Sequence, residues 1–175
     1  MKYKIKLIII DIDGVLTDGT KVYNKTGMPV YKKFCDKDFT AIKRLKASKV
    51  KVCFLSGDQN VNKAMAKKRN IDFFLARTKN KVSFINQFTK KYKCKLKEML
   101  FIGDDIFDID LLKKVGFSVT TADANSDVKK VCKLTLKSKG GHNAIMELAN
   151  YLSKKKLIGS FNYNKFIKFD SKEKF

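Results

Sequence analysis

Acidic residues are scarce in this chain: 17 Asp and Glu stand against 39 Lys and Arg over 175 residues, a formal charge of +22. Tryptophan is absent and proline occurs once. With Lys, Asn, Ile and Phe abundant, this bias is what an A/T-rich coding sequence would produce, so the charge reads as drift plus a solvated surface. The lysines are spread along the whole chain rather than gathered in one block, which argues against a specific nucleic-acid function and leaves a general attraction for anions. No apolar run approaches the ~18 residues needed to cross a bilayer. Met1-Lys2-Tyr3-Lys4 is positively charged, but Asp11 and Asp13 break the apolar stretch behind it, so no signal peptide is expected. There is no CxxC pair. Cys35, Cys53, Cys94 and Cys132 are far apart and Cys53 falls in a buried-strand pattern, which predicts reduced packing cysteines and a cytoplasmic address. No repeat or low-complexity linker divides the chain, and its length fits one domain with a substantial core.

The few acids are concentrated in two places. Leu7-Ile8-Ile9-Ile10 is an unbroken apolar run, the pattern of a strand buried on both faces, and Asp11-Ile12-Asp13-Gly14 follows at once. Asp11 and Asp13 are spaced i, i+2 where the strand runs out, with Gly14 free to turn the backbone. Like charges so close cost energy unless a cation or a titration relieves them. Far down the chain, Met99-Leu100-Phe101-Ile102 is followed by Gly103-Asp104-Asp105-Ile106-Phe107-Asp108. A surface Asp-Gly turn and a helix N-cap explain each cluster taken alone. Together they occupy equivalent places, and a parallel sheet would bring both to one rim. Hard oxygen ligands from two loops suit Mg²⁺.

Between them, Val50 to Leu55 reads as a third strand ending in Ser56-Gly57-Asp58, whose hydroxyl and backbone N–H groups form a phosphate-oxygen site. Lys81 opens a further helical stretch and can neutralise phosphate charge, with Lys79 as a competitor. The pattern predicts strands over 5–10, 50–55, 72–75, 99–102, 116–119 and 131–136, and helices over 38–48, 59–69, 79–92, 107–114, 125–130 and 142–154. A hairpin spans about 20–33. This alternation predicts a doubly wound α/β fold with a parallel sheet.

Taken in order, the D-x-D-G-V-x-T-D-G run, the strand ending in Ser-Gly-Asp, a lysine and G-D-D-x-x-D resemble the haloacid dehalogenase superfamily of phosphohydrolases, over roughly residues 5–152. The Asp11 to Gly19 run, a hairpin in place of a cap domain, and Gly140-Gly141-His142-Asn143-Ala144 with Glu147 are similar to the capless subfamily of 3-deoxy-D-manno-octulosonate 8-phosphate phosphatases and of phosphatase domains attached to acylneuraminate cytidylyltransferases. The resemblance implies Asp11 as nucleophile forming an aspartyl-phosphate and Asp13 as general acid and base. It implies Mg²⁺ on Asp11, the Asp13 carbonyl and Asp104, and phosphoryl oxygens on Ser56 and Lys81, with Asp105 and Asp108 in support. The expected reaction is Mg²⁺-dependent hydrolysis of an eight-carbon 8-phosphate or a nine-carbon sialic-type 9-phosphate. A homotetramer whose hairpins cap neighbouring sites is implied as well.

The sequence departs from that subfamily where its substrate pocket would be. Ser56-Gly57-Asp58 stands for Thr-Gly-Arg, Lys37-Asp38-Phe39 for Arg-Asp-Gly, and His142 for an arginine. Gly57, Lys37, Asp38, Lys43 and His142 are the candidate substrate contacts. Residues 1–156 are read as the phosphatase domain. Residues 157–175 are read as a tail without clear period, either frayed or lying over a neighbour's pocket. The competing function is a non-catalytic binding protein using the basic surface for nucleic acid or a protein partner.

Overall fold

The computed structural model describes residues 4–78 and 80–173, so Lys79 lies outside the described residues. Six parallel strands form one sheet in the order β5-β4-β1-β6-β7-β8. β1 (Leu7–Ile10) is central, between β4 (Lys51–Ser56) and β6 (Met99–Ile102), with β5 (Asp72–Leu75) beyond β4 and β7 (Phe117–Thr120) and β8 (Leu134–Thr135) beyond β6. A separate antiparallel pair, β2 (Val22–Tyr23) and β3 (Pro29–Tyr31), is the hairpin. No inserted cap domain is present among the described residues.

β1 shows why a continuous apolar run belongs here. Ile8 and Ile10 enter a core with Phe39, Leu45, Leu100, Ile102 and Leu148, while Leu7 and Ile9 enter a second core with Phe88, Met99, Phe101 and Leu111. Helices cover both faces, so no position on the strand can be polar. Helices α1 (Asp36–Ala47) and α6 (Ala144–Lys154) supply the first core, and α3 (Ile85–Tyr92) and α4 (Ile109–Lys114) the second. The remaining helices are α2 (Asn60–Lys68), α5 (Ser126–Val131) and α7 (Tyr163–Asp170).

Four expectations shift. The helix expected over 79–92 begins as a 3₁₀ turn at Lys81–Phe84 before α3, and that over 107–114 as one at Ile106–Asp108 before α4. The strand expected over 131–136 shrinks to Leu134–Thr135, because α5 runs on through Val131. The described part of the tail, through Glu173, is folded onto the domain: Leu157 and Ile158 join the first core, the Ile5 N–H donates to the Leu157 carbonyl at 2.8 Å, and α7 packs on α1 of its own chain. Lys43 Nζ lies 2.5 Å from Asp170, and Arg69 lies 2.8 Å from Glu173 while stacking over Phe39 at 4.0 Å. No helix among the described residues is long and apolar enough to cross a membrane, and the four cysteines are unpaired.

Candidate active site

The chain leaves β1 for β4 on one side of the sheet and leaves β6 for β7 on the other. The crevice between the ends of β1 and β6 is therefore the topological switch point where such sheets bind ligands. Both acidic loops open into it. The Asp11 N–H donates to the Ile102 carbonyl at 3.0 Å, tying one loop to the end of the other strand.

Asp11 is buried. Its Oδ1 accepts from the Ile12 N–H at 2.7 Å and its Oδ2 from Lys81 Nζ at 2.6 Å. Lys81 also lies 2.5 Å from Asp108 Oδ1. Asp108, with no exposed surface, accepts the N–H groups of Asp104 (3.0 Å) and Asp105 (3.2 Å) on its other oxygen and so shapes the loop. Gly14 turns with φ +82°, and a Cβ there would overlap the Asp104 carboxylate. Gly140 presses against the Gly14 carbonyl with no room for a side chain, and the Gly141 N–H donates to the Val15 carbonyl at 2.9 Å. The Gly140-Gly141 segment is thus the backing of the first acidic loop.

Asp11, Asp104 and Asp108 each offer a carboxylate oxygen, all within 4.8 Å of one another. Burial raises Asp11 to about 7, with Lys81 opposing and Asp108 adding to the shift. Burial, then Asp11 and Asp108, raise Asp104 to about 8. Lys81 is lowered by burial, but Asp11 and Asp108 outweigh it and hold the ammonium above the ordinary lysine range. Asp104 Oδ1 is buried without a hydrogen-bond partner among the described residues. Close-set hard oxygens, one of them unpartnered, with carboxyls that resist ionisation for want of positive charge, are a donor set that fits Mg²⁺.

Asp13 faces a different group. Lys32, whose side chain is wholly buried, donates to Asp13 Oδ1 (2.7 Å), Asp58 Oδ2 (2.8 Å) and Asn62 Oδ1 (2.9 Å). Asn62 Nδ2 donates in turn to Asp13 Oδ2 (3.1 Å) and Ser56 Oγ (3.0 Å). Lys21 reaches Asp58 at 3.3 Å. Burial pushes Asp58 up, but Lys32 and Lys21 outweigh it and hold the carboxyl below its ordinary value. The cleft has a volume of about 250 Å³ and is lined by Asp11, Asp13, Lys21, Ser56, Gly57 and Asp58, with Lys81, Asp105 and Phe107 closing it.

Of the expected site residues, Asp11, Asp13, Ser56, Gly57, Lys81 and Asp105 line this cleft, with Asp104 and Asp108 behind it. Four expected substrate contacts go elsewhere. Asp38 is buried and caps α6, accepting from Ile145 (2.9 Å) and Met146 (3.1 Å). Lys43 is engaged by Asp170 and Glu173 of the tail. Lys37 is exposed on the first turn of α1. His142 is exposed, its Nδ1 2.7 Å from the Gly140 carbonyl. Lys32, Lys21 and Asn62 were missed: nothing marks one lysine among 39 basic residues until the hairpin folds it under Asp13.

Comparison with known proteins follows the same lines. Residues 47–148 match the haloacid dehalogenase-like hydrolase family. The chain is 30% identical over 149 residues to a 3-deoxy-D-manno-octulosonate 8-phosphate phosphatase of Haemophilus influenzae, covering 85% of this chain and 82% of that one. It superposes on the crystal structure of such a phosphatase from Moraxella catarrhalis in complex with magnesium, phosphate and a KDO molecule, with TM-score 0.79, 26% identity and 86% of each chain covered. A cobalt-bound phosphatase of this type from Haemophilus influenzae gives TM-score 0.81 at 31% identity, covering 86% of this chain and 88% of that one.

Proposed function

This chain belongs to the haloacid dehalogenase-like hydrolase family, and on that premise we propose that it is a Mg²⁺-dependent phosphomonoesterase releasing phosphate from 3-deoxy-D-manno-octulosonate 8-phosphate. The observation that carries the reading is Asp11, a buried carboxylate held between a backbone N–H and Lys81 beside Asp104 and Asp108. One Asp11 oxygen attacks phosphorus as the bond to the sugar oxygen breaks, and Asp13 gives that oxygen its proton. Water then attacks the aspartyl-phosphate, Asp13 takes its proton, phosphate leaves and Asp11 is restored.

Such chemistry needs positioning and charge stabilisation more than covalent assistance. Lys81 fixes Asp11 and meets the phosphoryl oxygens with Ser56 and the N–H groups of the turn at Gly57. Lys32 and Asn62 aim Asp13. Asp11, Asp104 and the Asp13 carbonyl would hold Mg²⁺, which supplies positive charge against the phosphoryl oxygens. The cleft needs that charge: among the described residues Asp11, Asp13, Asp58, Asp104, Asp105 and Asp108 face Lys21, Lys32 and Lys81.

The similarity to octulosonate 8-phosphate phosphatases favours the eight-carbon acid, and Lys21, which lines the cleft, is the cation that would meet its carboxylate. The deciding assay measures phosphate release with Mg²⁺ from the octulosonate 8-phosphate, a nine-carbon sialic-type 9-phosphate and glucose 6-phosphate, with Asp11→Asn as the blank. Octulosonate ester should be cleaved fastest. Preference for the hexose ester, or no release above the blank from any of the three, defeats the proposal.

A further inference from the structure

A second, larger cleft of about 560 Å³ lies on the other rim of the sheet. It opens where β4 begins at Lys51, five residues before Ser56, hence about 16 Å along the strand from the catalytic turn. The end of α1, the start of β4 and the face of α7 converge on it, and each contributes lysines: Lys46 and Lys49, Lys51, then Lys165, Lys168 and Lys172. Its floor is apolar, formed by Val50, Val52 and Phe169. Six of its twelve lining residues are lysines.

Among the described residues none of these lysines forms an ion pair, although Asp72 lines the cleft with them. The nearby acids are already engaged: Asp72 by Lys91 and the Tyr92 hydroxyl, Asp170 by Lys43, and Glu173 by Arg69 and Lys43. Lys46 Nζ donates to the Asn70 carbonyl at 3.3 Å and lies 4.8 Å from the centre of the Phe169 ring. Burial lowers its pKa, Glu173 and Asp72 oppose that, and Lys172 and Lys51 push it down with burial. Like charges gathered on a concave, half-apolar surface repel one another until an anion enters.

We propose that this cleft binds a small molecule carrying two or more phosphoryl groups. Its volume falls in the small-ligand range of about 300–1,000 Å³. Its cations converge on one hollow, whereas a nucleic-acid strand requires a track of contacts. It contains no arginine, the side chain best matched to a carboxylate, while several ammonium groups can share one phosphate.

The test titrates the intact protein calorimetrically with inorganic tripolyphosphate and, separately, with ATP. EDTA is present, so that the acidic catalytic cleft repels both. One saturable site per chain is expected. Lys51→Glu/Lys168→Glu, at two exposed positions, should weaken binding by about tenfold or more through loss of two charge-assisted contacts. Lys113→Glu/Lys114→Glu on α4 makes the same charge change away from the cleft and should leave affinity within about twofold. Equal affinity for the two ligands assigns the site to the phosphate chain, and tighter ATP binding that Phe169→Ala abolishes assigns it to nucleotides. Equal weakening in both double variants means bulk charge only and overturns the proposal. So does the lack of saturable binding, or single-stranded RNA that outcompetes both ligands and is weakened by either double variant.

Discussion

At the residue scale, the two aspartates of the first motif are separated by their surroundings. Asp11 is buried and raised to about 7, whereas Asp13 remains partly exposed under Lys32 and Asn62. Asp13→Asn should therefore preserve the fold and slow turnover by roughly 10²–10⁴-fold, the worth of a general acid and base. Single-turnover phosphate release checks this, and near-normal rates would remove Asp13 from the proton path. Asp58 makes a subtler prediction. Its carboxylate competes for Lys21 with any substrate carboxylate, so Asp58→Asn should lower KM for acidic sugar phosphates by about two- to fivefold, leaving hexose phosphates unmoved. The aspartates were legible because each follows an apolar strand. Lys32 and Asn62 were not, since their roles come from contacts across 19 and 49 residues.

At the scale of elements, legibility followed burial. β1, β4 and β6 carry apolar runs that solvent would not tolerate, and their limits were read to within two residues. β8 was expected over 131–136 with its bounds too wide, because an edge strand of two residues has no periodicity to fix its ends. α7 escaped because the hold of this segment on α1 uses the ion pairs of Lys43 with Asp170 and Glu173 and one cation–ring contact, and none of its own residues is fully buried. Glu173 anchors that hold, nearly buried against Arg69. Glu173→Gln should cost about 1.5–3 kcal/mol, the value of a hydrogen bond to a charged group, seen as a lower urea midpoint at unchanged slope. The hairpin has the opposite character. Val22, Tyr23, Met28, Val30 and Tyr31 are each at least half exposed, and a bare two-stranded ribbon is marginal in water. A homotetramer in which it covers a neighbour's cleft would account for that exposure. Sedimentation should then give about four times 20.1 kDa, and deletion of residues 23–30 should yield monomers of poor activity. A fully active wild-type monomer would refute this role.

At the scale of the whole molecule, the acidic centre couples stability to pH and metal. Asp11 and Asp104 bind protons more tightly folded than unfolded, their ordinary value being 3.8. Their contribution therefore favours the folded chain below pH ~4 and is lost as pH rises through about 7 and about 8. In EDTA, the melting temperature should fall between pH 5 and pH 8.5 by more in the wild type than in Asp11→Asn/Asp104→Asn. Mg²⁺ should reverse the fall only at the alkaline end, where both carboxylates are free to bind it. A wild-type profile identical with and without Mg²⁺ at pH 8.5 would contradict the assignment of this cluster.

The central place of β1 also bears on how the chain is made. Its neighbours β4 and β6 lie about 40 and 90 residues further along, so the strand leading to Asp11 is synthesised first and completed late. At ~5–20 residues per second, its second edge stays open for several seconds on the ribosome. Until Met99–Ile102 emerges, Leu7-Ile8-Ile9-Ile10 presents unpaired backbone along one side and bare aliphatic faces, the makings of an aggregation-prone segment. Ribosome-bound chains halted before Met99 should therefore recruit holdase chaperones, and chains long enough to expose α6 and Leu157 from the exit tunnel should shed them, since those last residues seal the core around that strand.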